Sequence, residues 1–285
     1  MRTSFYQTEN FGSYDRIGSA EGVFAYLIRG TERAMLIDTG YGLGDIKGVV
    51  NSLTSLPLLI VNTHGHCDHV GGNGCFDVPC YIHPKDMELA GRHTTPEWRR
   101  GDADRMRHST NYETGEIYNA LPDHFDEDAY ASRGCGSLTP VEEGRRFDLG
   151  GATMEIIETP GHTAGGISVL YHEQELLFVG DATGFFVWLH LEESTGRQSY
   201  LDMLERIDAL PVKGYLGGHN PNVMTHSDLQ LYKRAAREAN YDKGFPFVSF
   251  LGQAREPRVC PIDGMGMDDM FSPGFASVVI GKDWR

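Results

Sequence analysis

The order of apolar runs along this chain predicts an α+β protein of the αββα sandwich type. Short apolar runs of strand length give way to helical stripes, and that order occurs twice. In addition, side chains of metal-ligating type recur just past the apolar runs, where α/β-type folds place their sites. With 285 residues, 40% apolar and 23% charged, the chain is long enough to bury a sizeable core, and a single domain over 1–285 is expected.

The elements follow in order. Residues 23–28 (VFAYLI) and 34–37 (AMLI) flank a Gly-Thr-Glu turn, a hairpin signature. Ile46, Val49, Val50 and Leu53 fall at i, i+3, i+4 and i+7, one buried helical stripe. The run 58–61 (LLIV) after Pro57 is expected to be a buried strand, and 80–83 another, with a helix from Lys85. The stretch 94–136 is polar and shows no sustained period, so it is expected to be an insertion with short helices, acting as a lid. Strand character returns at 152–157, 167–171 and 175–179. A helix over 199–210 presents Leu201, Leu204 and Ile207 on one side, and a second starts at Ser227 with Gln230 three residues on, a capping-box pattern. Residues 245–285 form a C-terminal extension whose run 276–280 (ASVVI) is a final strand.

Charge narrows the partners. Forty acidic against 25 basic residues leave a net charge of −15, which disfavours nucleic acid and anionic membranes, because phosphate binding needs a basic face. No apolar stretch approaches the ~18 residues of a membrane span, and MRTSFYQTEN lacks a signal-peptide pattern. Five cysteines, an odd count, fit reduced thiols and a cytoplasmic location better than a disulfide framework. The expected partner is a small-molecule substrate, with a homo-oligomer allowed.

Immediately after LLIV comes Asn62-Thr63-His64-Gly65-His66-Cys67-Asp68-His69-Val70-Gly71-Gly72. Imidazole nitrogen and carboxylate oxygen suit borderline metals such as zinc. In an extended segment alternate residues point the same way, so His64 and His66 can reach one ion. Asp68 and His69 then fall where the chain turns and can address another, with Gly71 and Gly72 permitting the tight turn. His162 follows the run ATMEII, Asp181 follows ELLFV, and His219 follows a short apolar stretch ending at Leu216.

These residues resemble the metallo-β-lactamase-fold hydrolases: His-x-His-x-Asp-His at 64–69, His162 in a Pro-Gly-His-Thr context, Asp181 after glycine, and His219, with Leu36-Ile37-Asp38-Thr39-Gly40 similar to the family's first motif. The resemblance covers residues from about 23 to 220. It implies an αββα sandwich with two divalent metal ions per chain, zinc by preference with manganese or iron as alternatives. His64, His66 and His162 would hold one ion, Asp68, His69 and His219 the other, and Asp181 would bridge both. Asp38 would support the site by hydrogen bonds. The implied activity is hydrolysis: a bridging hydroxide attacks an ester, lactone, thioester or related carbonyl of a small molecule, with Asp68 moving the proton. The alternatives are a phosphodiesterase on a small substrate and an iron-dependent, sulfur dioxygenase-like redox enzyme.

Departures from particular family members are visible. The bridging Asp181 differs from true β-lactamases. Gly184 stands where acyl-homoserine lactonases place a tyrosine, and the tail does not match the glutathione-binding helices of glyoxalase II. Phe185, Phe186, Trp188 and Leu189 are candidates for an apolar substrate wall, and His190 for lining the groove. The remaining histidines, His93 among them, are expected to be structural, and Cys67 to pack rather than react. Trp98, Arg99 and Arg100 are expected in a solvated charged segment.

Overall fold

The computed structural model describes residues 5–110, 115–270 and 272–284. The chain divides into two compact units, 1–155 and 156–285. In chain order the first carries β1 (Tyr6–Asn10), β2 (Asp15–Ser19), β3 (Phe24–Arg29), β4 (Ala34–Ile37), α1 (Ile46–Leu53), β5 (Leu58–Val61), α2 (Cys67–Val70), β6 (Pro79–Ile82), α3 (Met87–Arg92), α4 (Pro96–Arg107), β7 (Ser109–Thr110), β8 (Ile117–Tyr118), α5 (Glu127–Ala131), β9 (Ser137–Pro140) and β10 (Arg146–Asp148). The boundary falls inside β11 (Thr153–Glu158). The second unit continues with β12 (Ile167–Tyr171), β13 (Leu176–Gly180), β14 (Phe186–Leu189), α6 (Arg197–Asp208), β15 (Gly214–Gly217), α7 (His226–Glu238), β16 (Phe245–Pro246), β17 (Arg258–Pro261) and β18 (Ser277–Ile280).

A seven-stranded mixed sheet organises the first unit, in the order β1-β2-β3-β4-β5-β6-β9. β1 to β4 run antiparallel, and β4, β5, β6 and β9 run parallel. The predicted hairpin is β3–β4, closed by Gly30 N donating to Arg33 O at 2.9 Å. α1 connects parallel β4 and β5, with Asp45 capping it by accepting from Gly48 N at 2.8 Å. Ile46 and Val50 bury fully against Leu27, Leu36, Ile60 and Cys80, while Val49 and Leu53 pack at the edge. β1 and β2 carried no apolar run, because of their ten residues only Tyr6, Asp15 and Ile17 are buried.

The stretch 94–136 differs from its expectation in one respect. Residues 111–114 lie outside the described residues, but α4 before them is a twelve-residue helix. Its buried positions are Arg99, Asp102, Ala103 and Met106, spaced i, i+3, i+4 and i+7. The stripe exists, but two of its four members are charged, so hydropathy hides it. Arg99 is not solvated: its side chain is fully buried and donates to the carbonyls of Thr94 (3.2 Å), Gly71 (2.9 Å) and Gly134 (2.7 Å). Trp98 is half-buried and Arg100 exposed, the latter paired with Glu127 and Asp128.

In the second unit, β11, β12, β13 and β15 continue a five-stranded sheet that begins with β10. β12 and β13 are antiparallel, β13 and β15 parallel. A four-stranded sheet has the order β14-β18-β17-β16, so the predicted final strand lies between β14 and β17. β14, whose residues are candidates for an apolar wall, is thus a strand held by the C-terminal extension. α6 and α7 pack Tyr200, Leu204, Ile207, Leu229, Tyr232 and Ala236 into the core. The cap of α7 is Thr225 with Asp228, two residues ahead of the expected Ser227–Gln230 pair: Thr225 Oγ1 accepts from Asp228 N, and Asp228 Oδ2 accepts from Thr225 N at 2.7 Å. No helix among the described residues is long and apolar enough to cross a membrane.

Candidate metal centre

In the first unit, four donors sit on the turn that leaves β5. The chain bends through 63–66 and enters α2 at Cys67, so the extended alternation expected there ends at His66, whose backbone is still extended. His64 Nε2 and His66 Nδ1 face each other at 3.0 Å. Two nitrogens bound to one tetrahedral ion stand about 3.3 Å apart, so this pair is close to the spacing such an ion requires. His69 Nε2 lies 3.7 Å from Asp68 Oδ2.

Asp38, one residue beyond β4, organises this set. Its Oδ1 accepts from Thr63 N at 2.7 Å, and its Oδ2 accepts from Thr63 Oγ1 at 2.8 Å and from His69 Nδ1 at 2.8 Å. A carboxylate only accepts, so His69 carries its proton on Nδ1 and turns a lone pair outward at Nε2. Because the Thr63 hydroxyl proton goes to Asp38, its oxygen accepts from His64 Nδ1 at 3.1 Å, which leaves His64 Nε2 with its lone pair too. One buried carboxylate therefore fixes the tautomer of two histidines. Asp38 has φ +61°, the left-handed region that short polar side chains tolerate.

A buried amide network holds the backbone behind these rings. Asn62 Nδ2 donates to His69 O at 3.0 Å and to Asn73 Oδ1 at 3.1 Å, and Asn73 Nδ2 donates back to Asn62 Oδ1 at 2.8 Å. The Thr39 hydroxyl lies 3.0 Å from His69 O and 2.9 Å from Asn73 Oδ1. Gly65 N donates to the buried Asp86 Oδ2 at 2.9 Å. Gly71 and Gly72 have ordinary right-handed backbone angles, so the expected role in turning the chain is corrected. They are small because a Cβ on Gly71 would strike the carbonyls of Tyr41 and Cys67, and one on Gly72 the carbonyl of Thr39.

In the second unit, the register of parallel β13 and β15 pairs Gly180 with Gly217, and Gly218 N donates to Gly180 O at 2.9 Å. Gly180 has φ +51°, which turns the chain out of the strand at Asp181. This places Asp181 and His219 side by side at the ends of adjacent strands. Asp181 Oδ2 lies 3.3 Å from His219 Nε2 and 3.7 Å from His162 Nε2, one carboxylate oxygen facing two imidazoles. His162 Nδ1 donates to Trp188 O at 2.7 Å, so its lone pair is on Nε2, the atom that faces Asp181. These His and Asp donors form clusters that could hold one or two divalent ions.

Phe185 packs against the hydrophobic core, with Val187 and Leu189 buried in it. Phe186 and Trp188 turn half-buried rings the other way. His190 is buried, its ring 5.6 Å from Trp188. Burial, reinforced by His162, pushes it down to about 4, so it is neutral at pH 7. His93 is no ordinary core histidine: its buried ring stacks on His66 at 5.3 Å and on Trp98 at 3.9 Å. Burial pushes the Cys67 thiol well above its ordinary value, which fits packing rather than nucleophilic chemistry. All five cysteines are unbridged.

The metallo-β-lactamase superfamily model matches residues 18–239. The chain belongs to this superfamily of metallo-β-lactamase-fold hydrolases, and its α+β fold, with mixed sheets flanked by helices, matches the family's αββα architecture. The acyl-coenzyme A thioesterase MBLAC2 of Homo sapiens is 26% identical over 216 residues, spanning 68% of this chain and 71% of its own. The beta-lactamase-like protein 2 homolog of Caenorhabditis elegans is 28% identical over 231 residues, 76% of this chain and 63% of its own. Among solved structures, ETHE1 from Myxococcus xanthus has a TM-score of 0.53 at 17% identity, covering 80% of this chain and 86% of that one, a likeness of fold.

Proposed function

We propose that the chain is a dinuclear metal-dependent hydrolase that cleaves an ester or thioester of a small acyl compound, with lactones within the same chemistry. The observation that carries this is the donor set itself: seven side chains of ligand type in the family's order, three of the histidines with their lone pairs fixed outward by Asp38, Thr63 and Trp188 O. His64, His66 and His162 would form one ligand group and Asp68, His69 and His219 the second, with Asp181 shared between them. Zinc suits imidazole and carboxylate donors. When bound, the cations supply an acidified water and a Lewis acid for the substrate oxygen.

The chain's own residues do the rest. Asp38 orients His69 directly and His64 through the Thr63 hydroxyl. Asp68, half-buried beside His69, takes the proton of the attacking water and passes it to the leaving group. The acyl-coenzyme A thioesterase named above supports an acyl carbonyl over a phosphodiester. A panel of esters, thioesters, lactones and phosphodiesters, each assayed with zinc, manganese and iron, tests this. Turnover confined to phosphodiesters, or oxygen consumption with iron, would replace the reading.

A further inference from the structure

The segment after residue 239 lies beyond the family's span, yet it reaches the strand that follows Asp181. β14 alternates: Val187 and Leu189 enter the core, Phe186 and Trp188 face away. On that second face the Trp188 ring meets Phe247 at 5.2 Å and Phe250 at 5.7 Å, and Phe186 meets Phe247 at 5.7 Å. His190 closes the group at 6.0 Å from Phe247. Phe250 reaches solvent at 48% exposure, and Phe245 (41%) and Val248 (87%) of the same segment are exposed as well. The backbone carbonyl of Trp188 is the group that holds His162 Nδ1. An apolar group resting on the Trp188 ring therefore lies one residue from a proposed metal ligand.

We infer that Trp188, Phe247 and Phe250, with Phe186 beside them, receive the apolar chain of an acyl substrate, so that the C-terminal extension sets chain-length preference. This deepens the hydrolase reading and rests on it. A methylene chain is the occupant the patch fits by size. A stable dimer needs about 800 Å² per partner, more than three exposed apolar side chains of one short segment supply. A chain of methylenes needs only a narrow strip of ring faces, and full burial is worth about fourfold in binding per methylene.

The test uses the full chain with its metals. Rates on p-nitrophenyl esters from acetate to decanoate give the decanoate-to-acetate ratio of kcat/KM for the parent, Phe247→Ala, Phe250→Ala and Phe250→Asp. Binding of 1-decanol, followed by tryptophan fluorescence, reads the subsite without turnover. The expected result is a ratio about tenfold lower in the variants, with weaker decanol binding. An unchanged ratio and unchanged decanol binding in all three would overturn the inference. So would a variant that turns a dimer into a monomer, by analytical ultracentrifugation, with the ratio intact. If no ester is cleaved yet decanol binds the parent and not the variants, the subsite stands and the hydrolase reading falls.

Discussion

Asp38 decides more of the site's chemistry than any single ligand, because it fixes where the protons of His64 and His69 sit. Asp38→Ala would orphan the buried donors of Thr63 and His69 and free both rings to take the wrong tautomer. Loss of such a supporting partner typically costs 10–100-fold in metal affinity or activity. Thr63→Val keeps Asp38 and the His69 bond but breaks the relay to His64. The expected outcome is loss of bound metal in Asp38→Ala and a smaller loss in Thr63→Val, read by elemental analysis after dialysis. Unchanged metal content in both would show the tautomer argument to be empty. At this scale the candidate ligands and Asp38 stand out in the sequence, whereas the other supports do not. The ligands are chemically conspicuous and stand at fixed short spacings. Asn62, Asn73 and Asp86 act across 11 to 21 residues through ordinary amides and a carboxylate whose type announces nothing. His93 is similar, since its stacking on His66 depends on α3 and α4 folding back over the donor turn.

The elements were most legible where burial and hydropathy agree, as in α1, β4, β5 and β12, and least where buried positions are charged. α4 is the clearest case, with Arg99 and Asp102 on its inner face. Burial pushes the Asp102 carboxyl up to about 6 even with Arg105 beside it, so a hydropathy pattern has no means of marking it as core. Because α4 is packed into the first unit, a lid within 94–136 is best tested on the stretch that follows it. Replacing 109–118 with a short Gly/Ser linker should preserve metal content and alter KM or substrate preference. Unchanged kinetics would make the stretch a bystander. The α6–α7 pair offers a second prediction. Lys233, its side chain 5% exposed, reaches Asp208 at 2.6 Å and Glu205 at 2.7 Å. Its hydrogen bond to Asp208 pulls that carboxyl down to about 2. A lowered carboxylate stabilises the fold above its unfolded pKa of about 4, and that stability is lost as pH falls toward 2. Both carboxylates reach solvent, which screens the pairs, so Lys233→Met should cost only about 1 kcal/mol at pH 7. Its unfolding free energy should also vary less with pH between 4 and 2 than the parent's, by urea titration.

For the molecule as a whole, the proposed ligand groups draw on residues 64–69 and on residues 162–219, so metal binding is linked to the folding of the entire chain. A cation that binds the native state and not the unfolded one stabilises by mass action, about 2.7 kcal/mol when free metal stands a hundredfold above Kd. The expectation is two divalent ions per chain in protein purified without chelator, and a Tm that falls on chelation and recovers on adding zinc. Protons compete for the same lone pairs, because imidazole and carboxylate must be deprotonated to bind. Metal content, Tm and kcat should therefore all decline together as pH falls from 8 to 5. His162→Ala separates the two ligand groups: it removes one member of the first and leaves Asp68, His69 and His219 intact. It should retain about one ion, keep part of the metal-dependent rise in Tm, and lose kcat on every substrate rather than on one class. Full activity with a single ion, or a Tm indifferent to chelator, would contradict the dinuclear assignment. A turnover rate flat from pH 8 to pH 5 would contradict the requirement for an ionised water, whatever the metal count.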